Sequence, residues 1–408
     1  MLTQMVKAIA HTRSIQWLRD AVALLDQEYD WFQNQHSVPN VNLSRYLPFD
    51  AAALPRPESY REDDVVVKDM AANMRNFTLG ALIGGAESGW DFSSRWIRDN
   101  GVDLRNISTQ SVLPVCLNSI LYSNERILAD LHSQLSLHAS SMPSPPSSSS
   151  SPPPPHSLFL HHTLQSQSYS QRAQQRSASM RALMWSAPLS RWLDSCTTPP
   201  CPQPNSNAYA SSVMPLWAGL GLGPGGSAAA VVAFVDALLH DGGVATSTVS
   251  SGLQWDGDNA WPPLQFFVSA ALRSLADPAA TAVAIKVERT YLKAAQCSWQ
   301  ANGTLFEKYS AVVNGASGGG GEYVPQTGFG WSAGVAVAFI LADLQSDSPS
   351  VTQQCSVGNN AWLWPCWSNP AQVLVVVASI LAGAICLTAA GMRWRKMRVK
   401  KWQPLLSK

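Results

Sequence analysis

The sequence AESGWDFSSRW at residues 86–96 is the stretch on which the prediction of fold and function depends. It places two carboxylates, Glu87 and Asp91, among three aromatic residues that include Trp90, with arginines close by. Aromatic faces stack on the apolar faces of pyranose rings, and carboxylates and guanidinium groups bind hydroxyls. An acidic loop beside buried tryptophans is also common in proteins that bind no ligand. This window alone therefore leaves a sugar site and a merely structural loop equally open.

Two more loops repeat the pattern of a carboxylate among aromatics and glycines. Residues 254–263 read QWDGDNAWPP, and residues 318–331 read GGGGEYVPQTGFGW. Four consecutive glycines let a backbone run close to a ligand, and paired carboxylates hydrolyse glycosidic bonds as acid and base. Asp256 has two open roles, binding a sugar or orienting its own loop. The candidate site residues of these two loops are Trp255, Asp256, Trp261, Gly321 and Glu322.

Composition narrows the class of protein. The chain has 408 residues, a formal net charge of +1 and 16 tryptophans. Without a strong basic field, nucleic acid is not an expected partner. Many tryptophans fall beside Gly, Asp or Pro, which favours an aromatic-lined cleft, although a Trp-rich helical core remains the alternative. The seven cysteines show no metal-binding spacing, so we expect neither a metal nor a cofactor.

Two cysteine pairs are candidate disulfides if the domain lies outside the cytosol. Cys196 and Cys201 share a Pro-rich loop, and Cys355 and Cys366 flank a short aromatic segment. Disulfides persist in oxidising compartments. The sequence leaves the pairing open.

Apolar residues recur at helical spacing, and no stretch shows the alternation typical of a strand. The pattern of helix, long loop, helix predicts an all-α toroid whose loops build a cleft at one end. The predicted helices cover residues 9–35, 64–75, the second part of 100–134, 171–186, 227–239, 264–275, 279–300 and 332–344.

Residues 139–170 begin with an almost pure run of Ser and Pro. Such a composition buries no apolar surface, which predicts a disordered insertion. The insertion would divide the catalytic domain into a first part, residues 1–138, and a second part, residues 171–346. His161 and His162 fall inside the insertion and are predicted to be a disordered pair rather than a metal site.

The end of the chain predicts a membrane anchor. After a juxtamembrane segment at residues 347–370, residues 373–391 are uncharged and long enough for a transmembrane helix. The basic tail at residues 392–408 would then be cytosolic by the positive-inside rule. The lipid bilayer is thus an expected partner, with the catalytic domain extracellular or lumenal. Four glycosylation sequons agree with that exposure: Asn42, Asn76, Asn106 and Asn302.

Several motifs together resemble the trehalases, the inverting glycoside hydrolases (family 37) that cleave α,α-trehalose to two glucoses. The resemblance implies an (α/α)6 toroid, trehalose as substrate and no cofactor. It covers most of residues 18–344 outside the Ser/Pro insertion. The motifs run in the family's order: RPESYR at 56–61, AESGWDFSSRW at 86–96, PVCLN at 114–118, QWDGDNAWPP at 254–263, FEKY at 306–309 and the glycine-rich segment at 318–331.

The resemblance also implies roles for individual residues. The aspartate of the ESGWD motif, Asp91, would be the general acid, and the glutamate after the glycine run, Glu322, the general base. Arg56 and Glu58 of the RPES motif would bind sugar hydroxyls, and Trp255 would line the site. Inversion needs room for a water, so the two carboxyl groups of such enzymes lie roughly 6.5–9.5 Å apart.

The sequence departs from the family pattern in two respects. Cys116 stands where the family usually has an aspartate, which would change a hydrogen-bond network near the site. A glycine-arginine-phenylalanine signature that precedes the RPES motif in the family, and a later Arg-Ser-Gln-Pro-Pro motif, do not occur here. The resemblance therefore begins midway through the family's pattern and predicts an incomplete toroid. Such a toroid would expose apolar faces that further helices would cover.

These departures keep a second function open. A truncated, catalytically impaired relative would act as a membrane-anchored sugar-binding or partner protein. A glucan-hydrolysing enzyme on a similar toroid is a third alternative, which the joint match of the motifs disfavours. The glutamate and lysine at positions 307 and 308 would either touch the ligand or form a solvated pair.

Overall fold

Helices joined by long loops make up the computed structural model. The chain divides into two compact units, residues 1–335 and residues 336–408, and the described part of the second is the end of the last helix, residues 336–344. The description covers residues 2–47, 54–97, 101–141, 155–197, 207–321 and 323–344.

The described helices confirm a predominantly helical fold. They are α1 (Leu2–Ala10), α2 (Ile15–His36), α3 (Tyr60–Val67), α4 (Ala72–Glu87), α5 (Val115–Ser140), α6 (Pro155–Leu183), α7 (Met214–Trp217), α8 (Ala228–Asp236), α9 (Pro262–Arg273), α10 (Pro278–Asn302) and α11 (Gly330–Leu344).

Strands within the described residues are two residues long and pair antiparallel, which agrees with the lack of alternation in the sequence. One pair places the QWDGDN loop beside the FEKY motif, with Tyr309 opposite Ala260 and Ser310 opposite Asn259. The strands are β1 (Ser37–Val38) with β2 (Leu43–Ser44), β3 (Val112–Leu113) with β6 (Ser195–Cys196), β4 (Trp185–Ser186) with β5 (Arg191–Trp192), β7 (Leu239–His240) with β8 (Gly243–Val244), and β9 (Asn259–Ala260) with β10 (Tyr309–Ser310).

Several helix ends differ from those predicted from apolar periodicity. The predicted start at residue 9 is wrong, because Ser14 caps α2 by accepting a hydrogen bond from the Trp17 amide at 3.2 Å. The predicted helix at 64–75 is also wrong in its bounds, since α3 ends at Val67 and α4 begins at Ala72. The sequence analysis therefore missed α4, the helix that leads into residues 86–96.

The predicted disordered insertion at 139–170 is wrong for residues 155–170, which form the first half of α6. Helix α6 packs along α5 and contributes Tyr169 to a hydrophobic cluster with Leu131 and Leu135. His162 is buried at 6% exposure, so it does not belong to a disordered segment. Residues 142–154, which carry most of the Ser/Pro run, lie outside the described residues.

Apolar side chains remain exposed on the two N-terminal helices. Leu2, Met5 and Ile9 recur at helical spacing along α1, and Leu24 and Trp31 are exposed on α2.

No helix within the described ranges is both long and apolar enough to cross a bilayer. The predicted span at 373–391, its juxtamembrane segment and its basic tail lie outside those ranges.

Candidate active site

The AESGWD loop begins where α4 ends, at Glu87, and folds back onto that helix. Gly89 adopts a left-handed φ of 71°, and the peptide bond between Asp91 and Phe92 is cis. The returning chain presses Phe92 against Gly85, where a Cβ atom would lie 2.6 Å from the Phe92 ring. A glycine at position 85 is thus required for Phe92 to pack against the helix.

Trp90, Trp255 and Trp261 come together, as the sequence predicted, but they stack on one another. The ring centroids of Trp255 and Trp261 are 3.8 Å apart with planes inclined by 2°. The centroids of Trp90 and Trp255 are 4.9 Å apart at 25°. Trp255 therefore has an indole on each face, and it supports the loops rather than offering a free face to a sugar ring. Its indole Nε1, which is buried, has no hydrogen-bond partner among the described residues.

Arg95 continues this stack on the far side of Trp90. Its guanidinium carbon lies 4.4 Å from the ring centroids of both Trp90 and Trp96. Two of its nitrogens donate to Asp194 at 2.9 and 2.6 Å, and a third lies 3.5 Å from Cys116 Sγ. A buried guanidinium needs such partners. The carboxylate of Asp194 supplies the negative charge that balances the Arg95 guanidinium.

Cys116 stands where the family usually has an aspartate, and its predicted effect on the hydrogen-bond network stays a prediction. The thiol is free and buried, and burial raises its pKa. It therefore meets Arg95 as a neutral group, and the ion pair with Asp194 is the charged contact of this guanidinium that the structure describes.

Asp256 joins the AESGWD loop to the QWDGDN loop. Its carboxylate accepts from the backbone amide of Ser94 at 2.7 Å and from the Ser93 hydroxyl at 2.9 Å. Two hydroxyls of its own loop, those of Ser247 and Ser251, also donate to it. Burial raises the pKa of Asp256, and the hydrogen bonds oppose that rise. Of its two open roles, orienting the loops is the one that these contacts fill.

Gln254 forms the second bridge between the same loops. Its Nε2 donates to the backbone carbonyl of Asp91, and the amide of the next residue, Trp255, donates to the Phe92 carbonyl at 3.0 Å. Its Oε1 accepts from Lys308 Nζ at 2.9 Å. The FEKY motif is thereby connected to the backbone of the predicted general acid.

Asp91 is half-buried at the centre of this arrangement. The negative charge of Asp91 favours the charged form of Lys308 and the neutral form of Tyr323. Burial, together with the charges of Glu307 and Asp91, raises the pKa of Tyr323 to about 12. The charge of Asp91 therefore acts on both Lys308 and Tyr323.

The glycine run approaches Gln254 as closely as its composition suggests. Gly320 and Gly321 adopt left-handed φ values of 71° and 87°. A Cβ atom at Gly321 would lie 2.6 Å from Gln254 Oε1, and one at Gly320 would lie 2.5 Å from the Gly252 carbonyl oxygen. Glu322, the predicted general base, lies outside the described residues.

Glu307 and Lys308 are buried at 4% and 0% exposure, which excludes the solvated pair. The Glu307 carboxylate accepts from Tyr323 OH at 3.2 Å and from the Gln326 amide at 3.2 Å. Its own carbonyl accepts from Trp331 Nε1 at 2.8 Å. These contacts hold the segment that follows the glycine run.

The two RPES residues differ in their surroundings. Arg56 is buried, donates to both oxygens of Asp63 with a shortest distance of 2.7 Å, and lies 4.9 Å from the Phe92 ring centroid. Glu58 is exposed on the short 3-10 helix Pro57–Ser59. Their predicted contacts with sugar hydroxyls stay predictions.

Sequence reasoning missed three residues that shape the site: Gln254, Tyr323 and Asp194. Gln254 and Tyr323 stand inside the quoted motifs and could have been singled out there. Lys308 was considered only as a ligand contact or as half of a solvated pair, not as a partner of Gln254. Asp194 stands in a loop before Cys196 that carries no motif, so only the fold reveals its pairing with Arg95. Within the described part of the chain, no cluster of His, Cys, Asp or Glu could hold a metal ion.

Comparisons with known proteins agree with this architecture. The trehalase family profile matches residues 1–342. The chain is 31% identical over 339 residues to a trehalase from Apis mellifera, covering 79% of this chain and 50% of that protein. It is 33% identical over 348 residues to a trehalase from Pimpla hypochondriaca, covering 81% of this chain and 54% of that one.

A solved structure supports the fold. The neutral trehalase from Saccharomyces cerevisiae superposes with a TM-score of 0.61 at 20% identity, covering 84% of this chain and 61% of that one. The helical architecture described above is consistent with the (α/α)6 toroid predicted from the sequence. The chain belongs to the trehalase family, and it spans about half the length of the curated relatives it matches.

Proposed function

We propose that this protein hydrolyses α,α-trehalose to two glucose molecules with inversion at one anomeric carbon. The observation that carries the proposal is the placement of Asp91. Gln254 donates to its backbone carbonyl, its charge acts on Lys308 and Tyr323, and the neighbouring Trp90 stacks on Trp255. Membership of the trehalase family supports the substrate.

In the proposed mechanism, the protonated Asp91 carboxyl donates its proton to the glycosidic oxygen. Glu322, ionised, takes a proton from a water that attacks the anomeric carbon from the opposite face of the ring. The bond between that carbon and the bridging oxygen breaks, and the leaving glucose keeps the oxygen.

The test combines product stereochemistry with an acid variant. Proton NMR during the first turnovers should show one α-glucose and one β-glucose per trehalose, because the leaving sugar keeps its configuration while the attacked carbon inverts. Asp91→Asn should lower kcat by about 1,000-fold or more while trehalose still binds in calorimetry. The exposed Asp241→Asn is the matched control. Two α-glucoses, or full activity in Asp91→Asn, would contradict the mechanism.

The alternative function, sugar binding without catalysis, predicts a different pattern. Trehalose would bind to the unaltered chain with no glucose released, and Asp91→Asn would change neither property. A coupled glucose assay on the same samples used for calorimetry separates the two functions.

We further propose that the protein is anchored in a membrane by residues 373–391, with its catalytic domain extracellular or lumenal. The uncharged run and the basic tail support this topology. Each of the four sequon asparagines is exposed. Cys196 and Cys297 each belong to a disulfide bond, and disulfides are typical of oxidising compartments. Glycosidase treatment of the protein from a secretory host should lower its apparent mass, and alkaline carbonate should leave it in the membrane pellet. Release into the supernatant would contradict the anchor.

A further inference from the structure

We infer that Lys308 is a positioning residue: its ammonium orients the Gln254 side chain, which holds the backbone of Asp91 and so fixes where the Asp91 carboxyl stands. The inference rests on the proposed function, in which Asp91 is the acid. The nitrogen contacts two loops directly, through Gln254 and Gly320, and reaches the third through Gln254.

The contacts of Lys308 connect the AESGWD, QWDGDN and glycine-rich loops. Its Nζ donates to Gln254 Oε1 at 2.9 Å and to the Gly320 carbonyl at 3.1 Å. Gln254 Nε2 in turn donates to the Asp91 carbonyl. The Trp261 ring centroid lies 5.1 Å from Nζ, within the range of a cation–π contact. A side chain with no exposed surface makes these contacts without competition from bulk water.

A cation at this point decides the orientation of the Gln254 amide. An ammonium group can only donate, so the Gln254 oxygen must face it and the NH2 group must face away. The NH2 group then meets the Asp91 carbonyl, which can only accept. A neutral side chain at position 308 would remove the donor that holds the Gln254 oxygen, and the Gln254 amide would then bind the Asp91 carbonyl less firmly.

The glycine run packs closely against the Gln254 side chain and restricts its position. A Cβ at Gly321 would lie 2.6 Å from Oε1 and 2.8 Å from Cδ of Gln254. The amide of Gly319 donates to Asn259 Oδ1 at 2.9 Å. Lys308 and the glycine run thus hold Gln254 between them, and a small displacement at position 308 would be transmitted to Asp91.

The charges around Lys308 favour the contacts described above. The titratable groups that face Lys308 are Asp91, Glu307 and Tyr323. Burial lowers the pKa of Lys308 to about 8, and the two carboxylates oppose that fall. Lys308 is therefore charged below pH 8 and loses its proton as the pH rises through that value. Activity should accordingly decline above about pH 8 for this reason.

The kinetic experiment compares Lys308→Met, Lys308→Arg and the exposed control Lys286→Met in the full chain. Lys308→Met should lower kcat on trehalose by about 100-fold, the cost typical of a misplaced catalytic group, with KM changed by less than about threefold. Gln254→Ala should add little to Lys308→Met, because both act through one link. Lys308→Arg should move the alkaline decline upward, since a guanidinium stays charged. Additive losses, or Lys308→Met kinetics equal to those of Lys286→Met, would overturn the inference.

Hydrogen exchange gives a readout that needs no activity. Lys308→Met should speed exchange of the Trp255 and Gly319 amides while amides within α10 keep their rates. Unchanged exchange at both positions would overturn the inference. If the unaltered chain releases no glucose, the proposed function fails, and the exchange result alone decides the inference. If Lys308→Met fails to fold, the alkaline decline in Lys308→Arg decides it.

Discussion

Two buried polar networks in this molecule contrast in what they hold. The helical network links α2, α5 and α6 through side chains: Tyr29 OH donates to Glu125 Oε1 at 2.6 Å, and Arg176 Nε donates to the same oxygen at 2.9 Å. The loop network, built on Gln254, Asp256 and Lys308, ends on backbone groups such as the Asp91 carbonyl, the Ser94 amide and the Gly320 carbonyl.

The difference follows from the backbone. Inside a helix the N–H and C=O groups bond one another, so buried side chains such as Glu125 and Arg176 bond mainly to other side chains. In a long buried loop the backbone groups lack such partners, and side chains such as Asp256 must supply them. A helical network therefore stabilises the packing of helices, whereas a loop network determines where the atoms of the site stand.

The largest effect is expected in the helical network. Arg176→Met leaves Glu125 buried without its cation, which should lower the free energy of unfolding by about 3–5 kcal/mol. Chemical denaturation followed by circular dichroism measures this. The control is Arg105→Met, whose ion pair with Asp103 at 2.6 Å is exposed; it should leave the free energy of unfolding nearly unchanged. Glucose release per folded molecule should stay unchanged in both variants. A large loss of glucose release in Arg176→Met would show that the helical network, too, positions the site.

A smaller effect on stability is expected in the loop network, together with a larger effect on activity. Asp256→Asn turns one acceptor oxygen into a donor that faces the Ser93 and Ser94 groups. The free energy of unfolding should fall by about 2–3 kcal/mol, and kcat on trehalose by about 100-fold. The exposed Asp258→Asn, two residues along the same loop, is the control. Equal kcat in the two variants would show that Asp256 does not fix the geometry of the site.

The smallest effect is expected on the pH dependence of the free energy of unfolding, through two buried histidines of α5 and α6. His132 and His162 face each other with their Nδ1 atoms 2.9 Å apart, and His132 Nε2 lies 3.1 Å from Asp26 Oδ1. Burial, with the charges of His132, His161 and Arg19, lowers the pKa of His162 to about 4, against the opposing charge of Asp26. The unfolded chain thus takes up this proton first, so stability is lost as the pH falls from about 6.5 towards 4.

The loss between pH 7 and pH 5 should reach about 2 kcal/mol at most. Denaturation at several pH values tests this, with His162→Asn expected to flatten the dependence. The exposed His11→Asn should retain it. A curve for His162→Asn that parallels the curve for the unaltered protein would contradict this assignment.

Composition and motifs predicted the helical class of the fold and the meeting of the AESGWD and QWDGDN loops. They failed where capping and packing compete with periodicity. Ser14 begins a new helix inside one apolar pattern, and residues 155–170 are helical because α5 offers them an apolar surface through Leu131 and Leu135. Periodicity does not reveal the buried face of α6, because most of its residues are polar and only a few apolar side chains, such as Tyr169, pack against α5.

Within the site, the sequence determined which chemical groups are present: carboxylates, tryptophans and glycines in three loops. Only the tertiary structure decided how they are used. The tryptophans cover one another, Asp256 binds one loop amide and several loop hydroxyls, and Lys308 reaches the Asp91 backbone through Gln254. The reason is that a residue type fixes the capacity of a group to stack, donate or accept, whereas its partner depends on segments that lie far away along the chain.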